Sequence, residues 1–127
     1  MPELRVGIGV DAHALIDAVL GAANRGDIGT LFPSGEERFR GASSLDLLAE
    51  AYATVRADGW RLVNADCVLV GERPRIGLHR AEMATRLAAA MGVEPERIAV
   101  RATTTDRLGF TGREEGLAAQ AVALLER

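Results

Sequence analysis

The chain has 127 residues, 48% of them hydrophobic and 26% charged, with a formal net charge of -3; this is enough to bury one core, and residues 1–127 are read as a single domain. The acidic balance gives no electrostatic footprint for a nucleic acid or an anionic membrane surface, and an aromatic content of 4% leaves little for base-stacking platforms. Cys67 is the single cysteine and cannot form an internal disulfide, no stretch reads as a secretion signal or a bilayer span, and a cytoplasmic location is therefore expected.

In chain order, Leu4 to Val10 alternates β-branched residues with glycines and predicts a short strand. Asp11 is placed to cap a first helix, about Ala12 to Asn24, whose apolar spacing runs through Leu15, Val19 and Leu20 before Gly26 stops it. Gly26 to Gly41 has no sustained period and reads as a loop of functional length. Ser43 or Ser44 caps a second helix ending near Gly59, and a strand follows from Trp60 or Arg61 to Val70. Gly71 to Gly77 is a loop, His79 to Met91 a helix stopped by Gly92, Arg97 to Thr103 a strand, Thr104 to Gly112 a loop, and Arg113 to Leu125 a closing helix. Strands separated by such helices predict an α/β (α+β) layer, a small mixed sheet with helices on one face. The other face would expose Val, Ile and Ala, so self-association is the expected way to cover it.

Several residues are candidates for chemistry. On an extended backbone Asp11 and His13 point to the same side, as metal ligands do, although Asp11 is equally well placed as a cap. Asp17 follows His13 by four residues and suits a ligand, a partner for the imidazole, or an ordinary helix pair. Thr103, Thr104, Thr105 and Asp106 at a strand exit, with Gly109 and Gly112 after them, can hold phosphate oxygens and a divalent cation, or simply form a Thr-rich turn. Pro74 and Arg75 can frame a base and offer a cation to phosphate, and Asp27, Ile28 and Gly29 can clamp a sugar hydroxyl; solvated turns are the simpler alternatives. The pair Glu114 and Glu115 is read as sitting at a helix start, where the dipole favours it.

Together these segments resemble the 2-C-methyl-D-erythritol 2,4-cyclodiphosphate synthase family. The resemblance is carried by Arg5 to His13, by His13 to Ala23, by Gly26 to Gly29 with Leu31, Phe32 and Pro33, and by Ala102 to Arg113 with Glu115 and Gly116. It implies conversion of 4-diphosphocytidyl-2-C-methyl-D-erythritol 2-phosphate to the cyclic diphosphate with release of CMP, by metal-assisted phosphoryl transfer in a homotrimer with sites between subunits. It further implies zinc at Asp11 and His13 and a second divalent cation, such as Mg2+ or Mn2+, at Asp106, where the family has a longer glutamate. Thr104 matches the threonine that assists the transition state. By the same resemblance, Asp27, Ile28, Gly29, Phe32, Ser34, Glu36, Pro74, Arg75, Thr103 and Thr105 are implied to contact a CDP-linked substrate, with Phe110 and Arg113 lining a cavity at the trimer axis.

The sequence also departs from the family pattern. Family members carry two histidine motifs separated by a hairpin and a loop bearing a histidine-serine pair, whereas both motifs here converge on His13. Ser34-Gly35-Glu36 stands where aspartates are usual. Asp17 is the nearby candidate to replace the missing ligand, so a weakened zinc site is expected. An enzyme acting on another CDP-linked ester, or a non-catalytic trimer binding nucleotide or isoprenoid diphosphate, are the alternative functions.

Overall fold

The computed structural model describes residues 2–33, 43–73 and 77–127. Its first element is one continuous helix, α1 (Pro2–Ala22), and the strand expected over Leu4 to Val10 is absent. The physical reason is a second periodicity in the same residues. Leu4, Ile8, Ala12, Leu15, Ile16 and Val19 recur at three- and four-residue spacing, and all are buried. Burying that stripe outweighs the low helix propensity of Val6, Gly7, Gly9 and Val10, because most helical stability in proteins comes from packing.

After a left-handed Asn24, Gly26 turns the chain into the single turn α2 (Ile28–Leu31), which occupies part of the expected loop. Residues 34–41 of that loop lie outside the described residues. Ser43 caps α3 (Ser44–Ala57), its hydroxyl accepting from the Asp46 N–H at 3.2 Å. Then come β1 (Arg61–Val70), α4 (Arg80–Met91), β2 (Ile98–Thr103), the short α5 (Gly109–Gly112) and β3 (Ala118–Glu126). Gly92 ends α4 in the left-handed conformation at φ 70°, as its position after Met91 predicts.

The closing helix expected from Arg113 to Leu125 is instead β3. Alanine and leucine favour a helix locally, but Ala119, Ala121, Ala123 and Leu125 alternate with the more exposed Gln120, Val122, Leu124 and Glu126, matching a strand. The acidic pair Glu114 and Glu115 therefore lies in a turn and not at a helix start, with Glu114 at φ 61°.

The sheet has the order β2-β1-β3; β1 runs parallel to β2 and antiparallel to β3. This is the expected mixed sheet. Leu62, Ala65, Cys67 and Leu69 of β1, with Ile98 and Val100 of β2, point into a core shared with α1, α3 and α4. Val63 is the extra residue of a bulge in β1 between Leu62 and Asn64. The irregularity is pinned from both sides: Tyr52 Oη accepts from the buried Leu62 N–H at 2.9 Å, and Arg97 Nη1 donates to the Val63 carbonyl at 3.0 Å.

The opposite face carries Val68, Val70, Val122 and Leu124, the last two 74% and 58% exposed, around an Asp66–Arg101 ion pair with two hydrogen bonds of 3.0 and 2.7 Å. Among the described residues, no helix is long and apolar enough to cross a membrane.

The continuous α1 predicts the sign of one substitution. A Cβ at Gly9 would meet the Ser44 hydroxyl at 3.6 Å, an ordinary contact, so Gly9→Ala removes a flexible helix-interior glycine without steric penalty. The expected result in urea unfolding is a gain of about 0.5–1 kcal/mol. A loss of stability would argue against a helix through this segment.

Candidate functional site

The parallel strands β1 and β2 leave the sheet side by side, and the Gly71 N–H donates to the Thr103 carbonyl at 3.1 Å, tying the two exits together. Loops outside the carboxyl ends of parallel strands are the usual place for a ligand, because backbone donors and short side chains converge there. Thr103, Thr104, Thr105 and Asp106 lie at this edge, and Thr103 and Thr104 are exposed. Pro74, Arg75, Ser34 and Glu36 fall outside the described residues.

The Thr104 loop is strongly shaped. The Asp106 N–H donates to Thr104 Oγ1 at 3.0 Å, the Thr105 hydroxyl donates to the Leu108 carbonyl, and Thr105 Oγ1 lies 3.1 Å from Thr111 Oγ1. Asp106 and Arg107 are both left-handed, at φ 54° and 67°. Non-glycine residues in that region cost on the order of 1 kcal/mol each and persist where surrounding contacts fix them. Gly112 supplies that constraint: a Cβ there would stand 2.1 Å from the Arg107 carbonyl carbon, so the loop closes on itself only with glycine at this position. The result is a tight, exposed turn in which the Thr104 hydroxyl donates to Asp106 Oδ1 at 3.4 Å.

Phe110 is 50% exposed, its ring against Gly116. Arg113 forms two 3.0 Å hydrogen bonds with Glu115. Phe32 is buried and belongs to the core. Asp27 caps α2, accepting from the Thr30 N–H and hydroxyl at 2.8 Å each, and these donors hold its carboxyl below the usual range. Ile28 and Gly29 form the start of α2. Asp27, Ile28 and Gly29 thus stand together in a capped turn.

The three candidate metal ligands are not brought together. With α1 helical, Asp11 and His13 are about 200° apart around the axis, and the same-side placement expected of an extended backbone does not hold. Nor does Asp11 cap a helix, since it lies in the middle of one. It is fully buried, faces the core near Cys67, and neither carboxylate oxygen has a hydrogen-bond partner. His13 is exposed on the other side, with Nε2 3.2 Å from Ser44 Oγ. Asp17 shares the His13 side of α1, but its Oδ1 accepts from the Ile28 N–H at 2.8 Å and so organises the α1–α2 turn. Among the described residues, no three His, Cys, Asp or Glu side chains gather closely enough to hold a metal ion. The zinc implied by the family resemblance therefore does not fit the side chains as they are arranged. The role of Asp17 as a cap for α2 was missed in the sequence because its partner lies eleven residues on, in a segment without helical period.

A family model described as the YgbB family matches residues 5–126. The chain belongs to the YgbB family. A 2-C-methyl-D-erythritol 2,4-cyclodiphosphate synthase of Rubrobacter xylanophilus is 60% identical over 116 residues, 91% of this chain and 70% of that protein. Among solved structures, the bifunctional IspDF from Campylobacter jejuni superposes with a TM-score of 0.87 at 41% identity, covering 91% of this chain and 31% of that one. A 2C-methyl-D-erythritol-2,4-cyclodiphosphate synthase in a CDP-bound form superposes at 0.76 and 38% identity, covering 91% of this chain and 74% of that one. These family members share the α/β layer with its small sheet.

Burial pushes the Asp11 carboxyl from 3.8 up to about 7. Between those values the folded chain holds a proton that the unfolded chain has released, so stability contributed by this group is present in acid and is lost as pH rises toward 7. The penalty above pH 7 is about 4 kcal/mol as an upper bound, at 1.36 kcal/mol per unit of pKa. In Asp11→Asn, chemical denaturation from pH 4 to pH 8 is expected to lose this downward slope and to show a higher stability than wild type at pH 8. Parallel wild-type and variant curves would contradict the buried placement.

Proposed function

We propose that this chain acts as a cyclodiphosphate synthase on 4-diphosphocytidyl-2-C-methyl-D-erythritol 2-phosphate, forming the 2,4-cyclodiphosphate and releasing CMP. The observation that carries the proposal is the Thr104 turn at the carboxyl ends of the parallel strands, within a chain that resembles named synthases over nine tenths of its length. In the proposed reaction an oxygen of the substrate's 2-phosphate attacks the β-phosphorus. One P–O bond forms, the β-phosphorus to bridging-oxygen bond breaks, and CMP leaves with the electron pair. Such transfers need alignment and charge stabilisation more than covalent participation by the protein.

The Thr104 hydroxyl is the donor proposed to follow charge onto the transferring phosphoryl oxygens. Asp106 is proposed to hold a divalent ion such as Mg2+ or Mn2+ on the diphosphate. Thr103 and Thr105, with Pro74, Arg75, Asp27, Ile28, Gly29, Ser34 and Glu36, are the proposed substrate contacts, while Phe32 packs in the core. Arg113 and Phe110 are proposed to line the cavity at a threefold axis; the open sheet face bearing Val68, Val122 and Leu124 supports a homotrimer, which light scattering would read directly. The 127 residues are proposed to work as one unit in the cytoplasm, where a free buried Cys67 is compatible with a reducing environment. The separation of Asp11 from His13 supports weak turnover that depends on added metal.

Incubating the protein with the diphosphocytidyl substrate and Mg2+ or Mn2+ tests the proposal. Cyclic diphosphate and CMP are expected in equal amounts, with Thr104→Ala slowing the reaction on the order of 100-fold. CMP without cyclic product would instead indicate hydrolysis of a CDP-linked ester. CMP binding without turnover would indicate a nucleotide-binding module, a reading favoured by the undivided helix α1 and its divided candidate ligands.

A further inference from the structure

The disagreement between the family's zinc and the arrangement of α1 carries one inference. A chelating pair on a helix needs side chains three or four residues apart, which share a face; two residues apart, they diverge. Asp11 follows Leu4 and Ile8 on the core stripe and precedes Leu15, with Ala12 and Ile16 beside it, and all of these are buried. His13 projects from the far side, against Ser44 at the start of α3. Rotating α1 far enough to bring Asp11 out beside His13 would carry Leu15 and Val19, now fully buried, out of the core with it. We infer that in this chain Asp11 is a core side chain and not a metal ligand, so that any zinc the protein takes up is held without it.

The inference is independent of whether the proposed reaction occurs, because its readouts are thermal stability and zinc uptake. Thermal unfolding and zinc content are measured for wild type, Asp11→Asn and Asp11→Leu, without metal and with excess zinc chloride, with His13→Ala as a comparison. A core carboxylate without partners predicts that Asp11→Asn melts at the same temperature as wild type or several degrees higher. The zinc-induced shift in Tm and the zinc bound per chain should be the same in wild type and Asp11→Asn, including the case in which neither responds. Asp11→Leu tests whether an apolar side chain of similar size is accepted at the same point; if packing strain unfolds it, Asp11→Asn still decides. A lower Tm in Asp11→Asn, or a zinc response present in wild type and lost in both Asp11→Asn and His13→Ala, would overturn the inference and return Asp11 to a metal site.

Discussion

The packing of α1 against the inner face of the sheet governs the arrangement of the rest. Leu15, Val19 and Leu20 are wholly excluded from solvent, and α1 meets β1 and β3 on one side and α3 on another. Once that stripe is seated, the helical period of 3.6 residues leaves no freedom about where the intervening side chains go. Asp11 goes inward with Ile8 and Leu15, while His13 and Asp17 go outward toward α3 and α2. A buried carboxylate without partners is costly, and here that cost is the by-product of a helix whose apolar neighbours outweigh it.

The proposed function rests on a second constraint, at the edge where β1 and β2 leave the sheet. Parallel pairing of β1 with β2 sets their exits together, and the Gly71 to Thr103 hydrogen bond fixes the spacing. From there the chain makes a turn that Gly112 alone permits, with Asp106 and Arg107 held left-handed. Strain of this kind, held in place by close backbone contact, pre-organises the Thr104 hydroxyl and the Asp106 carboxylate. The two candidate regions thus differ in character: the threonine turn gathers exposed polar groups at a strand exit, whereas Asp11, His13 and Asp17 are used for core packing, helix contact and capping.

Much of this was legible in the sequence where local and tertiary preferences agree. The Val- and Leu-rich run to Val70 gave β1, Ser43 and Gly92 marked helix ends, and the threonines after Ala102 marked a strand exit. The readings failed where the two conflict. Val6 to Val10 carries β-branched residues and glycines that favour extended backbone, yet Leu4, Ile8 and Ala12 recur every four residues and form a buried helix face. Ala118 to Glu126 is rich in helix formers, yet it supplies the antiparallel partner that β1 lacks on one edge. The Asp11 and His13 reading failed with the first of these, since a pair two residues apart changes from convergent to divergent when strand becomes helix.

Backbone assignment by NMR over residues 4–22 tests the central claim most directly, because Cα and Cβ secondary shifts distinguish the two conformations residue by residue. A continuous run of helical shifts from Leu4 through Ala22, with Asp11 inside it, is expected. Extended shifts over Leu4 to Val10, with helix beginning only after Asp11, would contradict it and would put Asp11 and His13 back on the same side of the chain.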